Sequence, residues 1–479
     1  MSFTFVTFDR VARRRLMPVI ALLTAGVLTG CSLAPEYQQP AAPVPAAWTQ
    51  VADQPFTDAP LLAWQGFVTD PALKELIALG LANSRDFRQT LLNVQAVKAQ
   101  YGISRADRFP NIALQGSGSR QRVPADLNQT GESVVSSTYQ AGVGLTSFEL
   151  DLFDRVGSLS ETALQDYLAT ETAAQSTRIA LIAEIIQTYL SRDSALRRYA
   201  LTQKTLESRE ISLALINRQR EAGTTTALDW QEAVGLVEQA RADAELLDRE
   251  VRQTNNALAL LVGVSGLALP EVPSSTVALT VQSLQPGLPS SLLTRRPDIR
   301  AAEHTLLAKN ANIGAARAAF FPSISLTGFY GSSSADLSDL FTGGQRSWSF
   351  APQISLPIFS GGRNKANLAL AELRRDIAVA QYELAIQKAF AEVSDALVAV
   401  ETLAREETAR RNLSDSSQQA VKLSEARYRA GVDNHLRFLD AQRRAFTNEI
   451  SLIETSTQRQ QALVNLFKAL GGGWGGVES

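Results

Sequence analysis

The sequence predicts an internally duplicated α+β membrane protein in which each half joins a β-hairpin to a very long antiparallel helical hairpin. Three observations carry that reading. A set of motifs occurs twice in the same order, two proline-free runs keep helical spacing over some 65 residues, and an export signal ends at the only cysteine.

Composition narrows the function classes. With 46 basic and 48 acidic residues the 479-residue chain has a net charge of -2, which argues against nucleic acid as a partner, because phosphate binding needs a basic surplus on one face. One Cys and two His (His304, His435) leave too few ligands for an ordinary zinc site, and the two Met disfavour direct binding of soft metal ions. No nucleophile elbow, Walker A loop, His-Glu-x-x-His or dinucleotide fingerprint occurs, so no catalytic residue, metal or cofactor is expected and the chain is not read as an enzyme. Ala, Leu, Ser, Gln, Arg and Glu dominate, with only 7% aromatics, the palette of long helices.

Arg10, Arg13, Arg14 and Arg15 precede an apolar run from Leu16 to Leu28, about 13 residues and short of the ~20 that span a bilayer. The run ends in Leu28-Thr29-Gly30-Cys31, which resembles a bacterial lipobox. Residues 1–30 are therefore expected to be a lipoprotein signal peptide and Cys31 to carry N-palmitoyl and S-diacylglycerol groups, whose acyl chains hold a protein stably in lipid. Ser32, a residue other than Asp after the cysteine, favours the outer membrane of a Gram-negative bacterium. Residues 31–65, with Pro35, Pro40, Pro43, Pro45, Pro55 and Pro60, read as an extended tether with no core of its own.

The duplication rests on three matches at nearly one offset. Phe109-Pro110 to Gly116 returns as Phe321-Pro322 to Gly328, Leu150 to Phe153 returns as Leu356 to Phe359, and Gly223 to Ala233 (GTTTALDWQEA) returns as Gly431 to Ala441 (GVDNHLRFLDA), which places Leu228 on Leu436 and Glu232 on Asp440. In each half a helix ends near Phe-Pro, because a residue before proline is pushed out of the α region. Alternating stretches follow (Ile112, Leu114 and Tyr139 to Leu145; Ile324, Leu326 and Phe350 to Ile358), separated by Gly/Ser-rich loops expected over 117–137 and 331–347. Pro352 and Pro357 make the last strand the least secure. Proline-free helices are then predicted over about 157–222 and 364–430, with apolar stripes at Ile182, Ile185, Ile186, Tyr189, Leu190 and at Phe390, Val393, Leu397, Val400. Gly223 and Gly431 end them, and returning helices run to about Val262 and Leu470.

The resulting plan is repeat 1 over 66–270 (hairpin about 110–150, helical hairpin about 157–262), an equatorial linker over 271–295, repeat 2 over 296–470 (hairpin about 322–359, helical hairpin about 363–470) and a flexible Gly-rich tail over 471–479. Four strands cannot close a barrel, and an open edge has no water to turn to in lipid. If the hairpins span a membrane, two copies supply eight strands and three supply twelve. The alternative is a small soluble sheet on a lipid-anchored coiled-coil scaffold without a pore.

Further strings carry a resemblance. Arg295 to Glu303 (RRPDIRAAE), Ala315 to Ser325 (AARAAFFPSIS), Leu356 to Gly362 (LPIFSGG) and Gly431 to Arg443 (GVDNHLRFLDAQR), with the lipobox and its Pro35-Glu36-Tyr37 segment, are similar to the TolC-like outer-membrane factors of tripartite RND multidrug efflux pumps, the OprM/OprJ-like lipoproteins and most closely their OprJ-like branch. The resemblance implies a homotrimer whose 12-stranded outer-membrane β-barrel continues into a 12-helix periplasmic α-barrel. It implies an inner-membrane RND transporter and a periplasmic adaptor as partners, and a passive drug duct; a TolC-like duct for ABC-type (type I) protein secretion is the rival within the family. It places a periplasmic gate on Leu436, Asp440 and Arg443, with Glu232 as the first-repeat counterpart of Asp440, and adaptor docking at the tips near Gly223, Thr224, Gly431 and Val432. Leu436, Asp440 and Arg443 share one helix face by their spacing; in a threefold ring they would form an apolar constriction beside a ring of ion pairs. His435, beside them, is read as a surface aromatic-like residue with a possible pH response. His304 and the RRPDI string are expected to be structural, with Pro297 in the first turn of a helix.

Overall fold

In the computed structural model, residues 32–45, 63–129, 131–267, 269, 281–282, 284, 292–433 and 435–472 are described. The signal peptide, Cys31, residues 46–62 of the tether, most of the linker, Asn434 and residues 473–479 of the tail lie outside the described residues. Two helices, α1 (Pro71–Asn83) and α2 (Arg85–Ala106), precede strands β1 (Ile112–Val123) and β2 (Val134–Leu150) and helices α3 (Arg155–Glu221) and α4 (Ala227–Val262). The second half repeats the order with α5 (Pro297–Ala318), β3 (Ser323–Ser334), β4 (Arg346–Ser355), α6 (Arg363–Arg429) and α7 (His435–Ala469). The duplication extends to dimensions: α3 and α6 are 67 residues each, and α4 and α7 are 36 and 35. No described helix is long and apolar enough to cross a membrane.

The chain divides into two units, 1–40 with 95–170 and 302–382, and 41–94 with 171–301 and 383–479. In the first, the strands form one antiparallel sheet of order β1-β2-β3-β4. Its register separates two kinds of side chain. Ile112 pairs with Leu145, Leu114 with Val143, Val143 with Tyr330, Tyr330 with Trp348 and Ile324 with Ile354, so one face is apolar and aromatic. The other face holds Gln115 and Ser117 beside Gly142 and Gln140, then Ser325, Thr327, Ser349 and Gln353. Leu114, Trp348, Phe350 and Ile354 are exposed in the single chain.

The expected Gly/Ser-rich loops are too long. The strands continue to Val123 and Ser334 and resume at Val134 and Arg346, so Ser117 to Arg122 lie inside β1. A strand with one polar face needs no apolar alternation where its neighbour supplies the ladder. Pro352 stands within β4 opposite Leu326, on an edge strand of the sheet where a missing N–H is tolerated, while Pro357 lies beyond the strand's end. A β-bulge between Leu145 and Phe148 places Ser147 at φ 45°, and the turn into α3 follows. There Asp151 accepts from the backbone N–H groups of Arg155 and Gly157, both at 2.6 Å, and Glu149 holds the Arg155 guanidinium. A Cβ on Gly157 would sit 1.8 Å from the Asp154 carboxylate, so a side chain there would displace that carboxylate.

Within the expected tether, residues 33–39 are docked as a strap rather than free. Arg317 donates to the Leu33 carbonyl (3.2 Å), Asn310 to the Pro35 carbonyl (2.8 Å), Tyr37 to Glu303 (3.1 Å) and Gln39 to the hydroxyl of buried Tyr382 (3.0 Å). Glu303, Asn310 and Arg317 recur every seven residues, one face of α5. Gly314 completes the groove, since a Cβ there would lie 2.9 Å from the Ala34 nitrogen. His304 donates from Nδ1 to the Gln165 amide oxygen at 2.8 Å.

In the second unit the predicted stripe Ile182, Ile185, Ile186, Tyr189 and Leu190 is buried with Leu73, Ile77, Leu258 and Leu463, and Phe67 stacks on Phe467 at 4.4 Å. The predicted stripe on α6 needs correction. Of Phe390, Val393, Leu397 and Val400 only Val393 is fully buried; the buried row in this unit is Ile386, Ala389, Val393 and Ala396. Alanines let helix backbones approach closely, and this packing overrides side-chain size as a guide to burial. The RRPDI string does begin a helix, with Pro297 at its first position. Arg296, itself buried, forks onto Asp298 (2.9 and 2.6 Å) and reaches Glu392 (2.7 Å) and the Ala469 carbonyl (3.0 Å). Burial alone would lower its pKa; the two carboxylates more than reverse that. Gly471 and Gly472, the first two residues of the expected tail, form the closing turn of α7 with φ 93° and 66°.

Candidate gate at the helix-hairpin tips

Each long helix ends in the same device. Gly223 and Gly431 adopt φ 72° and 71°, which a side chain would resist. Gly223 donates to Arg220 and Thr224 to Gln219, while Gly431 donates to Tyr428 and Val432 to Arg427, a pair of Schellman motifs that satisfy the last carbonyls. All four predicted docking residues therefore occupy the turns. In the first tip, Thr226 caps α4: its hydroxyl accepts from the Asp229 N–H (3.1 Å), and the Asp229 carboxylate accepts from the Thr226 N–H (3.0 Å) and hydroxyl (2.6 Å) and the Thr225 hydroxyl (2.9 Å). These bonds, the Thr226 hydroxyl first, hold Asp229 below the usual carboxylate range. The second tip uses charge instead. Asp433 accepts from Arg427 (2.6 Å) and Arg437 (3.3 Å), and its pKa is lowered by the Arg427 hydrogen bond above all.

The predicted gate residues begin α7. Leu436 is 52% exposed, one turn before Asp440. Asp440 accepts from Arg443 at 2.7 Å as expected, and also from Arg444 at 2.8 Å, which sequence reasoning missed although the i, i+4 spacing was there to read. Glu232 is exposed on α4. His435 is more than a surface ring: it packs against Tyr428 (4.9 Å) and Phe438 (6.0 Å). Burial lowers its pKa below 6.5, partly offset by Asp229 of the first tip. The Thr-x-x-Asp pattern at Thr226–Asp229 is a local signal that would have found this second acidic group. Among the described residues no group of three or more His, Cys, Asp or Glu is placed to hold a metal ion. The arrangement is one of capped tips, ion pairs and an exposed leucine, without a nucleophile or a general base in a cleft.

A duplicated chain with an amphipathic four-stranded sheet, helices of 67 residues and charged tips defines a class, that of outer-membrane export channels. The outer membrane efflux protein family model matches residues 76–264 and 288–472, and the chain belongs to that family. It is 57% identical over 465 residues to outer membrane protein OprJ of Pseudomonas aeruginosa, covering 96% of this chain and 97% of that one. It is 48% identical over 457 residues to the probable efflux pump outer membrane protein TtgC of Pseudomonas putida, covering 94% of each. Among solved structures, a membrane protein from P. aeruginosa superposes with a TM-score of 0.87 at 56% identity over 92% of this chain and all of that one. The open state of the Neisseria gonorrhoeae MtrE outer membrane channel does so with a TM-score of 0.83 at 38% identity over 92% and 98%.

Proposed function

We propose that the chain is the outer-membrane exit duct of a tripartite RND-type multidrug efflux pump, working as a homotrimer anchored by lipid on Cys31. The observation that carries this reading is the sheet. Four strands with one apolar and one polar face leave β1 and β4 as open edges, and lipid tolerates the apolar face only if those edges are paired. Three copies supply twelve strands, enough to enclose a water-filled passage lined by the Gln, Ser and Thr face, whereas eight would be filled by side chains. The long helices of three copies continue the passage as a 12-helix barrel into the periplasm. Its tips carry the gate: Leu436 as an apolar constriction and Asp440, held by Arg443 and Arg444, as a charged ring, with Glu232 on the first-repeat tip. A periplasmic adaptor docks at Gly223–Thr224 and Gly431–Val432 and opens it, and the inner-membrane transporter supplies the energy.

Deleting the gene in its own host should raise accumulation of a fluorescent drug. The full-length chain restores export and a chain lacking residues 112–150 and 323–355 does not. Restoration by the sheetless chain would mean that the protein acts as a scaffold without a pore.

A further inference from the structure

One buried cation in the helical unit has no role in the sheet, the strap or the tips. Arg209 of α3 is 7% exposed, yet its guanidinium has a single hydrogen-bond acceptor, the Leu236 carbonyl at 2.8 Å. It lies over the Phe446 ring at 5.6 Å and forms no ion pair among the described residues. Burial pushes its pKa down, and Asp243, at longer range, offsets this only in part. Two other buried charges of the same unit are matched: Glu407 accepts from Arg411 and Arg459, and Arg296 donates to Asp298 and Glu392. An unmatched buried arginine is costly unless something supplies the missing charge.

Arg209 lines a groove of about 330 Å³ between α3, α6 and α7. Lys204 and Lys422 stand on its rim, and its one carboxylate, Glu449, is already engaged by Gln418 at 3.2 Å. Three cations face one carboxylate there. Leu201, Val421 and Phe446 give the same groove an apolar wall. A guanidinium fork offers planar, paired donors that suit a carboxylate, and the lysines add long-range attraction at the mouth.

We propose that this groove is a binding site for small organic carboxylates, the acid group on Arg209 and an apolar body against Phe446 and Val421. Benzoate serves as the probe and benzamide, its neutral counterpart of the same shape, as the control, each titrated calorimetrically into the full-length protein in detergent. Benzoate binds saturably and benzamide about tenfold more weakly or worse, as loss of a charge-assisted bond dictates. Arg209→Gln lowers the benzoate affinity by about tenfold, while Arg209→Lys, which keeps the charge without the paired donors, restores only part of it. Should Arg209→Gln fail to fold, Lys204→Gln combined with Lys422→Gln changes only exposed groups and weakens benzoate, not benzamide. Equal binding of the two probes, or benzoate affinity unchanged in these variants, overturns the proposal. So does an Arg209→Gln protein that binds benzoate normally but dissociates into single chains, which would assign Arg209 to a carboxylate of a neighbouring copy.

Discussion

Asp440 accepts from two arginines on its own helix, and this sharing sets how variants of the proposed gate should behave. Removing Arg443 leaves Arg444 on the carboxylate, so Arg443→Ala should raise resting ion conductance in a planar bilayer far less than Asp440→Ala, and the double Arg443→Ala, Arg444→Ala variant should approach the latter. A full opening by Arg443→Ala alone would show that the pair acts across chains and not within one. His435 is expected to make the second tip sensitive to acid. Its folded pKa is lowered by burial, so the unfolded tip binds more protons; the stability it contributes is complete above about 6.5 and is lost as pH falls through the lower folded value. Hydrogen-exchange protection at residues 426–440, taken relative to the intrinsic exchange rate at each pH, should fall between pH 7 and pH 5, and His435→Phe, which keeps the ring packing against Tyr428 and Phe438, should flatten that dependence. An unchanged pH profile in the variant would remove His435 from the tip's acid response.

At the scale of elements, what could be read in advance had a local cause. Gly223 and Gly431 mark helix ends because each needs a left-handed residue at that one position, and the stripe from Ile182 to Leu190 announces itself at helical spacing. The run Ser117 to Arg122 does not look like a strand, because what makes it one is the ladder to Ser136–Gln140 of β2. The alanine row of α6 was invisible for a related reason, since an alanine is buried by its neighbour and not by its own hydrophobicity. The strap had no local signal at all: Leu33 and Arg317 are 284 positions apart. That strap gives a test of its own. Gly314→Leu fills the space beside Ala34 and should release residues 32–40, seen as faster proteolytic cleavage there in both the wild-type and a Cys31→Ser background; protection that persists only where Cys31 is kept would mean the lipid and not α5 holds the segment.

For the whole molecule, the two faces of the sheet must meet different solvents. Trp348 lies on the apolar face and Ser349 on the polar one. Trp348→Arg should cost about 2–4 kcal/mol of folding stability in bilayers if it stands near the midplane, against little for Ser349→Arg; equal costs would deny the sheet a lipid face. The duplication, the family and the tip turns were legible from sequence because they repeat or have local causes. The number of copies was not, because a protomer with two open sheet edges is compatible with eight strands or twelve. Single-particle imaging of the protein extracted from outer membranes in mild detergent therefore tests the central claim most directly. A threefold particle with twelve strands around a continuous central passage is the expected result; a single chain, or a twofold particle with a filled eight-stranded barrel, would contradict it.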